Sequence, residues 1–267
     1  RFSAIAFNEG FSSHRATFLF GRINKITGTI TVHCACEPEQ SNYPDHVELS
    51  PDFDITIPNQ VAGILGMECV GMAISHKFET DQPFCEYMLR LAAKYQNTFG
   101  EYFTTVCVRP NPDDKNTTEL RAYQVKDAAM KIDKKQWFVD SDDPSWCKFD
   151  RDVHNLYISD AYANKAQVNM LVCAVPKKCS CKSKIPGHKF PSPSSYPTAA
   201  ALASYLSENS DFPTWLKLFD FNLLIFLLKN KVVPEDDFKI IIDSILKMEN
   251  LCPRIQLEIE DYLKKNE

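Results

Sequence analysis

The sequence predicts a mixed α+β protein. Strands and helices are expected at residues 1–176, a connection at 177–197 and a small all-helical domain at 198–267. Short segments of the first part alternate apolar and polar residues, which is typical of half-buried strands. The stretch PKKCSCKSKIPGHKFPSPSSYP then shifts the composition abruptly to Pro, Ser and Lys, as in a linker. Beyond it, apolar residues recur at helical spacing.

The first elements are expected to be a hairpin with one buried face. Segments 16–23 and 27–36 are β-rich and meet at a Thr27-Gly28 turn. A short helix at 59–65 and a strand at 68–74 follow a polar, Pro-punctuated stretch. The next helix is predicted by one apolar stripe of residues at i, i+3, i+4, i+7 and i+11, which are Phe84, Tyr87, Met88, Leu91 and Tyr95.

The middle of the chain predicts a second hairpin and one further strand. The hairpin strands are 102–108 and 120–125, and the further strand is 166–175. The acidic segment 131–151 is interpreted as an irregular surface insertion. In the C-terminal domain the predicted helices are 199–207, 215–229, 235–248 and 254–265.

Composition excludes several classes of protein. With 44% hydrophobic residues the chain can bury a core, and 30 Lys+Arg against 35 Asp+Glu, without a basic run, argues against a nucleic-acid partner. Ten cysteines without dense spacing are expected to be reduced thiols in cytosol or nucleus. The longest apolar run, 223–228, is too short to span a bilayer, and neither a membrane span nor a signal peptide is expected.

The strand expected at 68–74 leads toward a helix, with Val70 and Gly71 in the strand and Ser75 and His76 directly after it. These residues match the motif V-G-x-x-H-S-H-P, and the segment therefore resembles the metal site of the JAMM/MPN isopeptidases. The enzymes hold zinc with the two histidines and an aspartate on the next helix, and the fourth position holds an activated water.

The metal ligands of that motif are replaced in this chain. Ile74 stands for the first histidine, Lys77 for the proline and Tyr87 for the aspartate, so that His76 alone is retained. Glu86 is one residue from the aspartate position but points about 100° away on a helix. The upstream glutamate of the family would fall near 14–16, where none stands. We therefore predict no catalytic residues, no metal, no cofactor and no enzymatic activity, with His76 packed at the strand end.

Two flanking segments carry further motifs. The N-terminal segment is FLFGRI…GTITVHCACEPEQ, with a glycine-arginine after the first strand and an E-P-x-Q turn after the second. The C-terminal segment has L-A-x-Y-L-S, then D-F-x-L-L-x-F-L, then a V-x-P helix start. Both segments resemble the nuclear protein localisation protein 4 family. The family's zinc-finger and ubiquitin-like modules have no counterpart in these residues, and the resemblance leaves the groove-lining residues unassigned.

This resemblance implies a non-catalytic adaptor. Its partners would be polyubiquitin, the ubiquitin-fusion-degradation protein and the hexameric AAA ATPase known as valosin-containing protein. The implied role is delivery of ubiquitinated clients for proteasomal degradation, including ER-associated degradation. The MPN and helical domains would hold an unfolded ubiquitin segment in a groove. The implied location is cytoplasm and nucleus, with recruitment to the ER membrane surface.

Alternatives remain open at this level. An inactive MPN subunit of another complex, such as a proteasome-lid-type assembly, is the second functional interpretation, although the compact C-terminal domain favours the adaptor.

A zinc site is one alternative role for Cys179, Cys181 and His188, with Cys173 nearby, but free thiols suit the C-x-C spacing better. Cys147 with His154 is a weak nucleophile pair. Trp215 is expected in the core, whereas Trp137 and Trp146 could mark a contact surface or serve as buried anchors.

Overall fold

The computed structural model describes residues 2–77, 84–114, 116–154, 162–178 and 189–266. Within these residues the strands are β1 Arg15–Asn24, β2 Thr29–Cys36, β3 Gln40–Asn42, β4 Val47–Leu49, β5 Glu68–Ser75, β6 Thr104–Pro110, β7 Thr118–Val125, β8 Phe138–Val139, β9 Trp146–His154, β10 Tyr162–Gln167 and β11 Val172–Val175. The α-helices are α1 Phe2–Asn8, α2 Thr56–Ile64, α3 Glu86–Phe99, α4 Asp127–Lys134, α5 Ala199–Glu208, α6 Thr214–Leu218, α7 Phe221–Lys229, α8 Glu235–Lys247 and α9 Pro253–Lys265. The predicted α+β class is confirmed.

The main sheet positions the candidate site. In the described part of the chain it has six strands in the order β11-β7-β6-β5-β1-β2. The hairpins β1–β2 and β6–β7 are antiparallel, as the turn chemistry predicted. β5 and β6 run parallel and are joined across α3, because a parallel pair needs a crossover connection.

Two glycines allow close backbone approach within this sheet. A Cβ on Gly71 of β5 would lie 2.1 Å from the Thr104 carbonyl oxygen of β6. A Cβ on Gly21 of β1 would lie 1.9 Å from the Thr31 carbonyl oxygen of β2, next to a register shift between Phe20 and Gly21. The glycine of the V-G-x-x motif therefore has a packing reason that is independent of any metal.

The buried face of α3 is rotated from the predicted stripe. Met88, Leu89, Ala92 and Ala93 are fully buried, whereas Tyr87, Leu91 and Tyr95 are partly buried at the edge of the core. The periodicity predicted the helix correctly. The predicted buried face lies to one side of the observed one, because the prediction followed the large side chains. The small alanines bring α3 close to the sheet.

The segment interpreted as an irregular surface insertion, 131–151, is ordered instead. It contains the end of α4, the strand β8 and part of β9, and β8, β9 and β10 form a small separate sheet. Cys147 and Phe149 are buried while Asp150 is exposed, a period-two pattern that the acidic composition obscured.

Two predicted elements are each divided in the structure. The strand expected at 166–175 becomes the end of β10, a 3₁₀ turn at Val168–Leu171 and then β11, which lies in a different sheet. The helix expected at 215–229 becomes α6 and α7. Asp220 ends the first and caps the second, because its Oδ1 accepts hydrogen bonds from the backbone N–H groups of Asn222 and Leu223 at 3.0 and 3.3 Å.

One continuous apolar core runs through the sheet and the C-terminal helices. The ring centroids of Phe20 on β1 and Phe221 on α7 are 5.1 Å apart. At the rim, Lys229 of α7 forms a salt bridge with Glu39, which follows β2. The division into domains at 1–176 and 198–267 stays a prediction.

Candidate functional site

The residues that the sequence analysis expects in place of metal ligands lie at the end of β5 and on α3. Ile74 is fully buried between Ala16 of β1 and Cys107 of β6, its register partners. Lys77 is exposed, and Tyr87 is partly buried at the start of α3. The place of the first histidine is thus filled by an aliphatic core residue that offers no ligand atom.

His76 is packed at the end of its strand, the place that the sequence predicted. Its side chain is fully buried, and its backbone N–H donates to the Val108 carbonyl at 3.0 Å. The ring centroid lies 6.2 Å from that of His14, which occupies the region expected to lack the family's glutamate. Burial lowers the pKa of His76 to about 3 and that of His14 to about 4, so both imidazoles are neutral near pH 7.

Aromatic packing replaces the aspartate at position 87. The Tyr87 ring makes an edge contact with His46, with centroids 5.6 Å apart. His46 in turn stacks on Tyr43 at 4.4 Å. Burial raises the pKa of the Tyr87 hydroxyl to about 12, and a neutral phenol is a poor substitute for a carboxylate ligand.

Glu86, the neighbouring carboxylate, is engaged elsewhere. It accepts a hydrogen bond from Arg90 Nη1 at 3.1 Å, and its backbone N–H donates to the Pro144 carbonyl at 2.9 Å. Burial raises the pKa of this carboxyl, whereas Arg90 acts to lower it. Over the described ranges, no group of three or more His, Cys, Asp or Glu side chains is placed to hold a metal ion.

The other candidate residues do not come together as a site within the described structure. Cys179, Cys181 and His188 lie outside the described residues; Cys173 is exposed on β11. Cys147 is fully buried and burial strongly raises the pKa of its thiol, which suits an inert core cysteine. The side chain of His154 also lies outside the described part.

The three tryptophans are partly buried. Trp137 lies under the cations of Lys135 and Arg151, at 4.2 and 4.8 Å from the ring centroid. The Lys165 ammonium lies 5.0 Å from the ring centroid of Trp146. Trp215 on α6 is partly buried, which differs from its expected position in the core.

The E-P-x-Q turn is a structural junction whose role the sequence analysis missed. The Glu37 carboxylate accepts from Arg15 Nε at 2.9 Å and from Gln40 Nε2 at 3.0 Å. Gln40 also closes two hydrogen bonds with the Ala16 backbone, at 2.9 and 3.0 Å. The Ser194 N–H of the connection donates to the Glu37 carbonyl at 3.3 Å. The turn therefore ties β1 to the connection, and Glu39 ties it to α7.

A cleft lies beside this junction, between the connection and α7. Its volume is about 140 Å³, and its walls include Pro193, Pro197, Ile225 and Phe226. A larger cavity of about 660 Å³ lies between the start of α4, the end of β7 and the Glu101–Tyr102 segment, with polar walls that include Gln96 and Gln124. Glu39 of the turn after β2 also lines the smaller cleft.

The described helices include none long and apolar enough to cross a membrane. No protein-family model matches the chain. A curated protein from Dictyostelium discoideum, the nuclear protein localization protein 4 homolog, is 32% identical over 263 residues. That alignment covers 96% of this chain but 44% of the relative, so the chain spans less than half of the relative's length. Together with the mixed sheet-and-helix fold, this match places the chain in the nuclear protein localization protein 4 family.

Proposed function

We propose that this chain is a non-catalytic, ubiquitin-binding part of an adaptor. It would help deliver polyubiquitinated proteins to a hexameric AAA ATPase of the valosin-containing type, together with a ubiquitin-fusion-degradation partner. Proteasomal degradation, including that of ER clients, would follow. The adaptor would act in cytoplasm and nucleus and be recruited to the ER membrane surface. The name of the relative, with its reference to nuclear protein localization, supports the nuclear part of this proposal.

The observation that carries the non-catalytic part is the filled ligand position. Ile74 is fully buried in the sheet, and Tyr87 packs against His46. A catalytic zinc needs about three protein ligands and an open coordination position. A single buried imidazole at His76 supplies neither requirement.

The packing of the C-terminal helices supports the adaptor over an inactive scaffold subunit. α7 lies against the sheet through Phe221 and is joined to the β2 end by Lys229. A lid-type subunit would instead extend its helices away for bundling. The groove for an extended ubiquitin segment would lie on the surface where the sheet and the helices meet.

The test follows chain length and retention together. The purified chain is incubated with polyubiquitin of the degradation-signalling linkage and with zinc, beside an active JAMM isopeptidase as positive control. We expect uncut chains that co-precipitate with the protein. Cutting that a chelator stops would contradict the non-catalytic part. Absence of retention, both alone and after unfolding of ubiquitin by the ATPase, would contradict the ubiquitin-binding part.

A further inference from the structure

Two arginines of the hairpin β6–β7 share one carboxylate. Glu119 Oε2 accepts a hydrogen bond from Arg109 Nε at 2.7 Å, and Glu119 Oε1 accepts one from Arg121 Nε at 2.8 Å. Arg109 and Glu119 are register partners across the hairpin. Arg121 follows Glu119 by two residues and therefore lies on the same face of β7. Hydrogen bonding thus holds both guanidinium groups together on one face of the sheet.

This cluster has a surplus of positive charge. Burial acts to raise the pKa of Glu119, but the hydrogen bonds from Arg121 and Arg109 outweigh it. The pKa of this carboxyl is therefore lowered, and the group is ionised near pH 7. Both guanidinium groups stay protonated at that pH. Two cations thus share a single anion, and a second carboxylate would neutralise the cluster.

Arg121 has hydrogen-bond donors left for that second carboxylate. The side chain of Arg109 is 7% exposed, whereas that of Arg121 is 36% exposed and reaches the surface. The Nε of Arg121 donates to Glu119, and Tyr123 makes a further hydrogen bond with this guanidinium. A guanidinium carries more N–H donors than these two contacts use. The remaining donors suit a carboxylate, which guanidinium groups bind in a bidentate manner.

A third cation lies next to Arg121. The Nζ of Lys177 donates to the backbone carbonyl of Leu120, the residue that precedes Arg121. Lys177 is exposed, and a bond to a neutral carbonyl does not compensate its charge. β11 pairs with β7 at residues 122–125, so Lys177 lies where β7 extends beyond its neighbour. The positive charge of the cluster therefore continues along this side of β7.

The turn of the hairpin determines where an anionic ligand is favoured. Asp113 and Asp114 lie in the segment between β6 and β7. Their carboxylates repel an anion that approaches over the turn. Arg121 and Lys177 lie beyond Glu119 as seen from the turn. An anion is therefore favoured on that side of Glu119.

We propose that Arg121, Arg109 and Lys177 form a binding surface for an acidic peptide segment of a partner protein. One side-chain carboxylate of the peptide binds Arg121 beside Glu119, and a neighbouring one lies against Lys177. A single exposed ion pair contributes little to affinity, so a peptide with several adjacent carboxylates is favoured over a small anion. The charge of the cluster and that of the peptide are complementary.

This surface lies far along the sheet from the contact with the C-terminal helices. β7 is next to the edge strand β11, whereas β1 is next to the opposite edge strand β2. Phe221 of α7 packs against Phe20 of β1. The acidic peptide would therefore bind at a place separate from the groove proposed for ubiquitin, and a partner other than ubiquitin would supply it.

The first experiment compares two capped peptides. Acetyl-Gly-Glu-Asp-Glu-Gly-amide is titrated into the isotope-labelled chain and followed by NMR, beside acetyl-Gly-Gln-Asn-Gln-Gly-amide. We expect the acidic peptide to shift the Nε–H signal of Arg121, and the amide peptide to bind about tenfold more weakly. Raising the salt from about 50 to about 500 mM should weaken the acidic peptide. Equal affinity of the two peptides, or no shift at Arg121 with millimolar acidic peptide, would overturn the proposal.

The second experiment compares arginine variants. Arg121→Gln is expected to weaken the acidic peptide about fivefold, and Arg121→Lys, which keeps the charge but loses the bidentate donors, should lie between. Arg151→Gln is the matched control, because Arg151 is also exposed and also pairs with a carboxylate, that of Asp150 at 2.9 Å. It should leave the affinity unchanged. Equal losses in Arg121→Gln and Arg151→Gln would show nonspecific attraction and contradict the surface.

The third variant, Glu119→Gln, tests the surplus of charge by a gain of binding. The amide keeps an acceptor for the arginines but removes the internal anion, so the acidic peptide should bind about threefold more tightly. A role of the cluster in folding alone predicts no such gain. Unchanged or weaker binding by the folded variant, checked by circular dichroism, would contradict the proposal.

Polyubiquitin retention, measured in parallel, distinguishes this surface from the proposed function. Arg121→Gln is expected to retain polyubiquitin as the unmodified protein does. If the unmodified protein binds the acidic peptide but never ubiquitin, the surface stands and the ubiquitin assignment fails. Loss of both activities in folded Arg121→Gln would overturn the separation of the two sites.

Discussion

At the scale of single residues, burial decides the chemistry of the two histidines at the end of β5 and before β1. His14 and His76 lie side by side, and Asp45, His46 and Arg109 act on their pKa values. The dominant cause is burial, which disfavours the imidazolium form. The pair therefore behaves as neutral core residues, not as ligands or general bases.

The histidine pair predicts a pH-dependent stability. Because the folded-state pKa values, about 4 for His14 and about 3 for His76, lie below the ordinary 6.5, the unfolded chain binds more protons. Their contribution is complete above about pH 6.5 and declines as the pH falls toward 4, by up to about 1.4 kcal/mol per histidine per pH unit. Urea unfolding between pH 7.5 and 4.5 measures this slope.

The double variant His14→Gln, His76→Gln isolates the histidine contribution. Its unfolding free energy is expected to change less steeply over the same pH range, whatever its absolute stability. Parallel slopes for the variant and the unmodified protein would show that other groups carry the acid sensitivity.

The backbone at Gly71 gives a second residue-scale prediction. Gly71→Ala forces β5 and β6 apart, since the new Cβ would lie 2.1 Å from the Thr104 oxygen. We expect a loss of about 3 kcal/mol in urea unfolding. The matched control is Gly63→Ala on α2, where nothing lies within 4 Å, and there we expect a gain of about 1 kcal/mol from helix propensity. A neutral Gly71→Ala would contradict the close approach.

At the scale of elements, Asp220 organises the break between α6 and α7. Its Oδ1 caps α7, and its Oδ2 accepts from the backbone N–H groups of Lys189 and Phe190 at 2.7 and 3.0 Å. One buried carboxylate thus begins a helix and anchors the end of the connection. With four charge-assisted hydrogen bonds, the Asp220 carboxylate accepts more hydrogen bonds than any other group that we identify at the junction of these elements.

Removal of this carboxylate is expected to be severe. Asp220→Ala leaves four backbone donors to find new partners, and we expect a loss of about 3 kcal/mol or more in thermal or urea unfolding. Asp220→Asn keeps the capping oxygen but turns a donor toward the N–H groups of Lys189 and Phe190, so its effect should be intermediate. The exposed Asp243→Ala on α8 serves as the control and should change little. Equal effects of all three variants would contradict the junction role.

At the scale of the whole molecule, the sheet and the C-terminal helices share a core. The contact of Phe20 with Phe221 and the salt bridge of Glu39 with Lys229 both cross between them. Cooperative unfolding follows when buried apolar contacts link two parts more strongly than a solvated linker would. The predicted domain boundary at 177–197 would then mark a connection along the chain without marking independent folding units.

Calorimetry distinguishes these two descriptions. We expect one unfolding transition. Phe221→Ala should lower the free energy of unfolding by about 3 kcal/mol, because the substitution creates a cavity. Leu257→Ala on α9 is the control, because 56% of that leucine is exposed. Two transitions, of which only the lower one moves with Phe221→Ala, would instead support separate domains.

The sequence by itself determined the elements whose evidence is local. Alternation and a Thr27-Gly28 turn predict the hairpin β1–β2, and apolar residues at helical spacing predict α8. The replacement of metal ligands at Ile74 and Tyr87 stays a prediction from the sequence, because an isoleucine and a neutral phenol are the wrong chemistry for zinc.

Tertiary structure alone decided what depends on distant partners. The segment 131–151 forms strands because Cys147 and Phe149 are buried in a core. The helix expected at 215–229 is divided at Asp220, whose carboxylate accepts hydrogen bonds from a segment some thirty residues away. The cleft between the connection and α7 also depends on distant partners, since its walls come from both. Local periodicity indicates which face of a helix or strand would be buried. The burial itself depends on contacts that the chain makes only after it has folded.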